Sequence, residues 1–278
     1  MAIELATQYL PYVDELFTTE SRKSLLTNND FSWDGAHTIK VYRISTSDMN
    51  DYGRAGPEGS NWSRYGPVDT LGATTQAMAL RKDRSFTFAI DRLDENETKR
   101  QLQAATALAR QLREIVVPEV DNHVYSEMCE HAGQIPDPMA LTAANIYDTI
   151  VSNNKLLDDA EVPEVGRVLL VTPDTYLLMK KSKDIIMETD IAQEMRLRGV
   201  IAMLDGLTVV KVPSTRLPDG FGFMLAHRVA TVAPVKLESY VIHENPPGIN
   251  GSLVEGRLNY DAFILDNKAK AVLYQATA

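Results

Sequence analysis

The chain has 278 residues, of which 44% are hydrophobic and 24% are charged, and its formal net charge is −10. This is the composition of an ordinary globular protein, and the acidic balance argues against a protein that coats nucleic acid by neutralising phosphates. The only cysteine is Cys129, which excludes an intrachain disulfide and indicates a reducing compartment.

The first thirty residues combine scattered apolar side chains with Pro11 and end at Asn28, Asn29 and Asp30. They predict one or two short amphipathic helices that are too small for a core of their own, so they must dock on this subunit or on a neighbour. No basic region precedes an apolar core, and no apolar run is long enough to span a membrane. We therefore expect a cytosolic product without a membrane partner.

Two segments of alternating polarity, Thr38–Thr46 and Thr74–Ile90, predict long antiparallel strands. Between them lie about 27 residues rich in Gly, Ser, Asn, Asp and Pro, with Tyr52, Trp62 and Tyr65 interspersed. An isolated hairpin is marginally stable in water, and loops of this length are usually functional or disordered. The segment is therefore either an arm that lies on another molecule or a floppy surface excursion.

Apolar residues at steps of three and four predict one long helix over residues 93–132, the spine helix. Asp94 is a candidate N-cap, and Glu97 completes a capping box. Such a helix would span roughly 57 Å, more than the roughly 50 Å diameter of a compact 278-residue globule. The sequence predicts an elongated subunit, or else a sharp bend at Pro118.

Beyond the spine helix, the sequence predicts a helix at Leu141–Leu157 and a strand at Val168–Val171, followed by a helix that Thr172 caps and Pro173 begins. The turn lacks glycine, so it does not indicate a phosphate-binding loop. The C-terminal strands should pack on the apolar stripe of the spine helix, which gives an α+β fold that is discontinuous in sequence. The further predicted strands are Leu207–Val212, Phe221–His227, Val235–His243, Arg257–Leu265 and Lys270–Gln275.

His123, Glu127 and His131 are spaced four residues apart on one helical face, a pattern that could serve a metal-dependent enzyme. The two histidines lie about 12 Å apart along the axis, so only Glu127 and one flanking histidine could share an ion. We favour a solvated polar face and predict no metal, no cofactor and no catalytic residue. Cys129 lies within the helix and is expected to be a buried apolar side chain.

Three segments carry a family resemblance: RSFTFAIDRLDENET before the spine helix, VVPEVDNHVYS within it, and GRLNYDAFILDNKAKAVLY near the end. Together with the order of the parts, they resemble major capsid proteins of tailed bacteriophages, and in particular of phages and prophages of low-GC Gram-positive bacteria. The resemblance covers essentially the whole chain and implies the bacteriophage Hong Kong 97-type fold. The implied parts are an N-terminal arm (1–37), an extended hairpin or E-loop (38–92), a peripheral domain (93–139 and 229–278) and an inserted axial domain (140–228).

The resemblance implies a structural protein and not an enzyme. Many copies would form hexamers and pentamers of an icosahedral shell around double-stranded DNA, which the shell encloses without sequence-specific binding. The protein would be made in the bacterial host cytoplasm and become part of the virion, with a portal and, because only about 37 residues precede the hairpin, a separate scaffolding protein or none. The alternatives are an encapsulin-like nanocompartment shell protein and a soluble metal-dependent enzyme that uses Glu127 and a flanking histidine.

We expect the hairpin to lie over an adjacent subunit and to face acidic partners there. Some family members form a lysine–asparagine cross-link between subunits. Lys82 is a candidate for it by residue type alone, and we do not assign this cross-link to the present chain. The candidate inter-subunit contact residues are Arg54, Trp62, Arg64, Arg81, Lys82 and Arg84.

Overall fold

The computed structural model describes residues 20–28, 38–56, 63–97, 103–183, 185 and 203–278. These residues form two compact units: residues 38–79 make up the hairpin unit, and the rest make up the larger unit. Helices α1 to α5 are Arg92–Glu97, Ala104–Gln111, Val117–Glu130, Ile146–Asp159 and Pro173–Lys181. Strands β1 to β12 are Thr38–Ile44, Ala73–Ala79, Lys82–Asp91, Arg167–Val171, Met203–Leu204, Leu207–Lys211, Phe221–His227, Thr231–Val232, Val235–Glu244, Gly251–Tyr260, Phe263–Ile264 and Val272–Ala276.

The hairpin unit consists of β1 and β2, which pair antiparallel with Thr38 opposite Ala79. The prediction of one strand over Thr74–Ile90 is wrong, because this segment forms β2 and then β3, and β3 pairs with β10 in the larger unit. The break has a physical cause: the backbone amide of Arg81 donates to the side chain of Asp261 and not to a neighbouring strand. The hairpin unit therefore ends before residue 92.

The spine helix is shorter than predicted. It runs without interruption from residue 104 to residue 130 through α2, a π-helical turn at Leu112–Val116 and α3. The preceding residue, Gln103, has an extended backbone with φ −81° and ψ 140°, so α1 is a separate helix. The prediction of a single helix over 93–132 is wrong at its N-terminal end.

The cap of α1 also differs from the prediction. Asp91 Oδ1 accepts a hydrogen bond of 2.7 Å from the backbone amide of Leu93, which is the geometry of an N-cap. Asp94 lies instead within the first turn. The helix thus begins directly at the end of β3.

Pro118 does not end the spine helix. It lacks the amide that an α-helix would use to bond the carbonyl of Glu114. The π turn lies where that bond is lost, and the amide of Val117 bonds the carbonyl of Leu112 five residues earlier.

The described residues of the larger unit form three sheets. One is antiparallel with strand order β3-β10-β9, and a small one pairs β8 with β11. The third has the order β12-β7-β4-β6-β5, in which β4 and β6 are parallel and the neighbouring pairs are antiparallel. Thr172 caps α5 as predicted, since its side chain accepts a hydrogen bond of 3.1 Å from the amide of Thr175.

The apolar stripe of α3 packs on the C-terminal strands, as the sequence predicts. Val124 and Met128 are buried in the same core as Leu258 and Leu273. By contrast, no side chain of α2 or of the π turn is buried. The fully buried residues of the spine helix therefore lie in its second half, while Val116 of the π turn packs against the core as a half-buried side chain.

The end of the N-terminal arm, residues 20–28, docks on its own subunit. Leu26 is fully buried, and the amide of Asn28 donates to the carbonyl of Thr231 at 2.9 Å. Ser21 Oγ donates to the buried carboxylate of Asp121 at 2.5 Å. Residues 1–19, where other short helices are predicted, lie outside the described residues. No helix in the described part of the chain has the length and apolar character needed to cross a membrane.

Candidate assembly surfaces

The tip of the hairpin unit is held by hydrogen bonds that cross it. Ser45 and Gly72 exchange three of them, from the Ser45 amide and hydroxyl to the Gly72 carbonyl and from the Gly72 amide back to the hydroxyl. Farther out, Ser47 Oγ donates to Asp69 at 3.1 Å, and the amide of Gly53 donates to the carbonyl of Arg64 at 2.9 Å. The described residues of the tip therefore extend the two strands through hydrogen bonds that cross between them.

A glycine shapes this tip. Gly66 has a φ of +88°, and a Cβ at this position would lie 2.8 Å from the Cβ of Asn50. Only glycine tolerates both the left-handed backbone and the close approach. The rings of Tyr52 and Tyr65 meet edge to face with centroids 5.0 Å apart, which fixes the two sides of the tip against each other.

The hairpin unit exposes far more apolar surface than a two-stranded sheet can cover. Met49 is 99% exposed and Tyr65 is 76% exposed. A soluble monomer rarely displays apolar residues in such a dense group, and groups of this kind mark interaction sites. The exposed large apolar residues of the unit are Tyr42, Ile44, Met49, Tyr52, Tyr65, Val68 and Leu71.

Of the predicted contact residues, Arg54 and Arg64 lie exposed in the hairpin unit. Trp62 lies outside the described residues. Lys82 is exposed on β3, opposite Tyr260 of β10. These positions leave the charged groups of Arg54, Arg64 and Lys82 open to solvent.

Arg81 is held by two carboxylates of its own chain. Its amide and its Nε donate to Asp261 Oδ2 at 2.9 and 3.1 Å, and its guanidinium lies 2.9 Å from Glu127 Oε2. Asp261 Oδ1 also accepts hydrogen bonds from His123 Nε2 at 2.8 Å and from the amide of Ala262 at 2.9 Å. Arg81, His123, Glu127 and Asp261 form what we call the Arg81 network.

Asp261 is the electrostatic centre of this network. Burial raises the pKa of its carboxyl group, but the hydrogen bonds from Arg81 and His123 outweigh burial and leave the pKa below the ordinary value of 3.8. The hydrogen bond to Asp261 in turn raises the pKa of Arg81. The side chain of Asp261 is fully buried and is ionised at neutral pH.

The network revises the prediction for the polar face of α3. His123 is 11% exposed and Glu127 is 14% exposed, so this part of the face is not solvated. Sequence reasoning missed Asp261, because it lies 138 residues beyond His123. Its one signal is an acidic residue that comes directly before the apolar run of residues 262–265, where burial requires a partner.

The same residues answer the question of a metal site. One ligand atom each from His123, Glu127 and Asp261 lies within 4.8 Å of the others, a donor set that suits a divalent ion. The guanidinium of Arg81, however, is bonded to both carboxylates and already supplies a positive charge between them. The arrangement fits an internal ion-pair network better than a metal centre.

Arg84 is also paired within the chain. Its Nε donates to Glu119 Oε1 at 2.7 Å, and the hydroxyl of Tyr260 lies 3.4 Å from the same oxygen. Burial and the charge of Glu119 raise the pKa of Tyr260 to about 12, so this hydroxyl remains a donor at neutral pH. Burial likewise raises the pKa of Cys129 to about 12, which keeps the thiol protonated.

The sequence matches no protein-family model and no curated protein. Solved structures, by contrast, match nearly the whole chain. One from Mycobacterium phage Che8 has a TM-score of 0.80 at 18% identity and covers 98% of this chain and 96% of that chain. The capsid structure of cyanophage P-SCSP1u has a TM-score of 0.77 at 11% identity, over 98% of this chain and 93% of that chain. The mature capsid of bacteriophage PhiM1 has a TM-score of 0.76 at 12% identity, over 99% and 92%.

A virus-like particle from Pyrococcus furiosus also matches, with a lower TM-score of 0.57 at 10% identity over 92% of each chain. These likenesses identify the fold: the chain has the Hong Kong 97-type capsid fold, and the α+β class expected from the sequence is confirmed.

Proposed function

We propose that this chain is the major capsid protein of a tailed phage or prophage, and that its copies assemble into an icosahedral shell around double-stranded DNA. The observation that carries the proposal is the match of nearly the whole chain to phage capsid structures. The function is structural and requires no catalytic residue, metal or cofactor. The protein is made in the bacterial host and resides in the virion, where its copies form hexamers and pentamers.

The proposed domains follow the sequence expectation with two changes. The N-terminal arm covers 1–37, and the axial domain covers 140–228. The hairpin ends at Ala79, and β3 joins the peripheral domain with β9 and β10. The last strand, β12, pairs with β7 and so belongs to the sheet of the axial domain.

We propose that the hairpin of each copy lies over a neighbouring copy. Its apolar side chains lack cover within the unit itself, and a two-stranded sheet gains stability when a third surface packs on it. Arg54, Trp62, Arg64 and Lys82 are the proposed charged and aromatic contacts. Arg81 and Arg84 form ion pairs within the chain. We propose that they support the contact between copies indirectly, because these pairs hold the start of β3 in place.

A second surface for neighbours is the first half of the spine helix. Its apolar residues are at most half-buried, and Ile115 is 51% exposed. A helix whose apolar stripe is only partly covered by its own chain is stabilised by packing against another surface. This surface supports an assembly in which each copy contacts more than one neighbour.

Electron microscopy of the purified protein tests the proposal. We expect closed icosahedral shells when the protein is expressed with its phage partners, and DNA inside particles taken from lysates. Soluble monomers under all assembly conditions would contradict the proposal. The separate scaffolding protein and the portal are tested by mass spectrometry of the same particles.

The nearest alternative is an encapsulin-like nanocompartment, which the match to the Pyrococcus furiosus particle favours. The TM-score of this match is lower than those of the phage capsids, so the nanocompartment is the second candidate. The contents of the particles separate the two, because a nanocompartment would enclose a protein cargo in place of DNA. The metal-dependent enzyme is tested by metal analysis of protein purified without chelators, for which we expect no stoichiometric zinc or manganese.

A further inference from the structure

A cluster of positive charge surrounds one aromatic ring in the axial domain. The ammonium groups of Lys180 and Lys211 lie 5.1 and 5.2 Å from the ring centroid of Tyr176. Tyr176 and Lys180 are four residues apart on α5 and share a face, while Lys211 is the last residue of β6. We call Tyr176, Lys180 and Lys211 the lysine cluster; Lys181 and Lys183 follow on the exposed chain beside it.

Among the residues that the structure describes, no ion pair neutralises the charge of this cluster. In the part of the chain that the structure describes, the ion pairs engage arginines and histidines with carboxylates, and none involves Lys180, Lys181, Lys183 or Lys211. The chain has 38 acidic residues for 28 basic ones, so carboxylates are abundant. An uncompensated basic group in such a protein leaves its charge available to an external anion.

The aromatic ring organises the two lysines. An ammonium group within about 6 Å of a ring centroid is attracted to the face of the ring, which restricts the flexible side chain. Because both groups approach one ring, they lie within about 10 Å of each other, a span of roughly three phosphates at the 3.4 Å rise of a DNA strand. Lysine presents a compact point charge and lacks the planar fork that reads a guanine edge.

We propose that the lysine cluster binds the phosphate backbone of double-stranded DNA without sequence specificity. The proposal rests on the proposed function, since it makes the cluster a contact between the shell and the genome it encloses. Phosphate binding needs a local excess of basic residues. The lysine cluster provides this excess on one small surface, although the net charge of the whole chain is −10.

The test measures binding of purified subunits to a short mixed-sequence DNA duplex by fluorescence anisotropy over a range of NaCl concentrations. The variant is Lys180→Gln with Lys211→Gln. We expect weaker binding and a plot of log affinity against log salt that is less steep by about 1.8, because two phosphate contacts are lost. The charge-preserving variant Lys180→Arg with Lys211→Arg should retain binding.

Lys268→Gln with Lys270→Gln is the matched control, because both lysines are exposed and the net charge changes equally. An equal loss of affinity in this control, or an unchanged salt dependence in the test variant, would overturn the proposal. So would the absence of DNA binding by the unmodified protein. If the test variant binds DNA normally but loses binding to polyglutamate, the cluster instead contacts an acidic protein surface.

Microscopy separates this inference from the proposed function. Normal shells from a protein whose DNA binding does not depend on the lysine cluster would refute only the inference. If the unmodified protein forms no shells, the proposed function itself fails, whatever the anisotropy shows. Circular dichroism confirms that each variant is folded, which exposed lysine substitutions should not affect.

Discussion

Asp261 is the residue on which the Arg81 network depends, because one buried carboxylate accepts hydrogen bonds from Arg81, His123 and a backbone amide. Replacement by alanine leaves these donors without an acceptor. We expect Asp261→Ala to lower the free energy of unfolding by about 2–3 kcal/mol, measured by urea denaturation of the unassembled protein. The control is Asp83→Ala, which breaks the exposed pair with Arg257 and should change stability little.

The lowered pKa of Asp261 predicts how this contribution varies with pH. The ionised carboxylate is favoured in the folded state, so its stabilising effect is fully present above the ordinary pKa of 3.8 and is lost as the pH falls through the lowered value. The difference in unfolding free energy between the unmodified protein and Asp261→Asn should therefore shrink below pH 3.8. A difference that stays constant down to pH 2 or grows would contradict this assignment.

At the scale of elements, we predict that assembly needs the hairpin unit and that folding of the larger unit does not. Deletion of residues 50–72 leaves five residues, 45–49, to connect β1 and β2, a connection of ordinary length for a hairpin. We expect a folded protein that does not form normal shells. Thermal unfolding of the subunit and electron microscopy of the assembly reaction provide the two measurements.

Point variants test the role of the hairpin in assembly without deleting any residue. Ile44→Ser with Leu71→Ser removes exposed apolar surface from the hairpin and should impair assembly without lowering stability. Val165→Ser is the matched control, because Val165 is 89% exposed but lies in the larger unit. Normal shells from the hairpin variant, or equal defects in both, would show that this surface has no role in contact between subunits.

Elements defined by local pattern were predictable. The strand Phe221–His227 and the cap at Thr172 agree with the structure, because an apolar run bounded by turns and a threonine before a proline act within a few residues. Pairing between distant segments was not predictable. The break between β2 and β3 depends on Asp261, which no periodicity near Arg81 reveals.

The candidate site was likewise predictable where it depends on local spacing and not where it depends on distant segments. The spacing of His123, Glu127 and His131 placed both histidines beside Glu127, and the structure has them within 3.9 and 4.0 Å of its carboxylate. The exposure of this face was not predictable, because Arg81 and Asp261 arrive from other parts of the chain. The contact roles of Arg54, Trp62, Arg64 and Lys82 stay predictions.

At the scale of the whole molecule, each copy carries ten net negative charges, so copies repel one another as they assemble. Salt shortens the range of this repulsion, with a Debye length of about 10 Å at 0.1 M. We expect the concentration of protein needed for assembly to fall as NaCl is raised to moderate levels, as measured by light scattering. If the protein concentration needed for assembly instead rises at every step of NaCl, pairs between opposite charges dominate the contacts between copies.

The π turn at Leu112–Val116 changes which way the spine helix faces. A π turn contains about one residue more than an α turn, so side chains before it are rotated by about 100° relative to an uninterrupted helix. Apolar residues that form one stripe in the sequence thus point in two directions, and those after the turn enter the core while those before it do not. The extra residue therefore separates the half-buried surface before the turn from the core-facing stripe after it, and losing one residue there would restore regular α-helical hydrogen bonding while the two halves keep their directions.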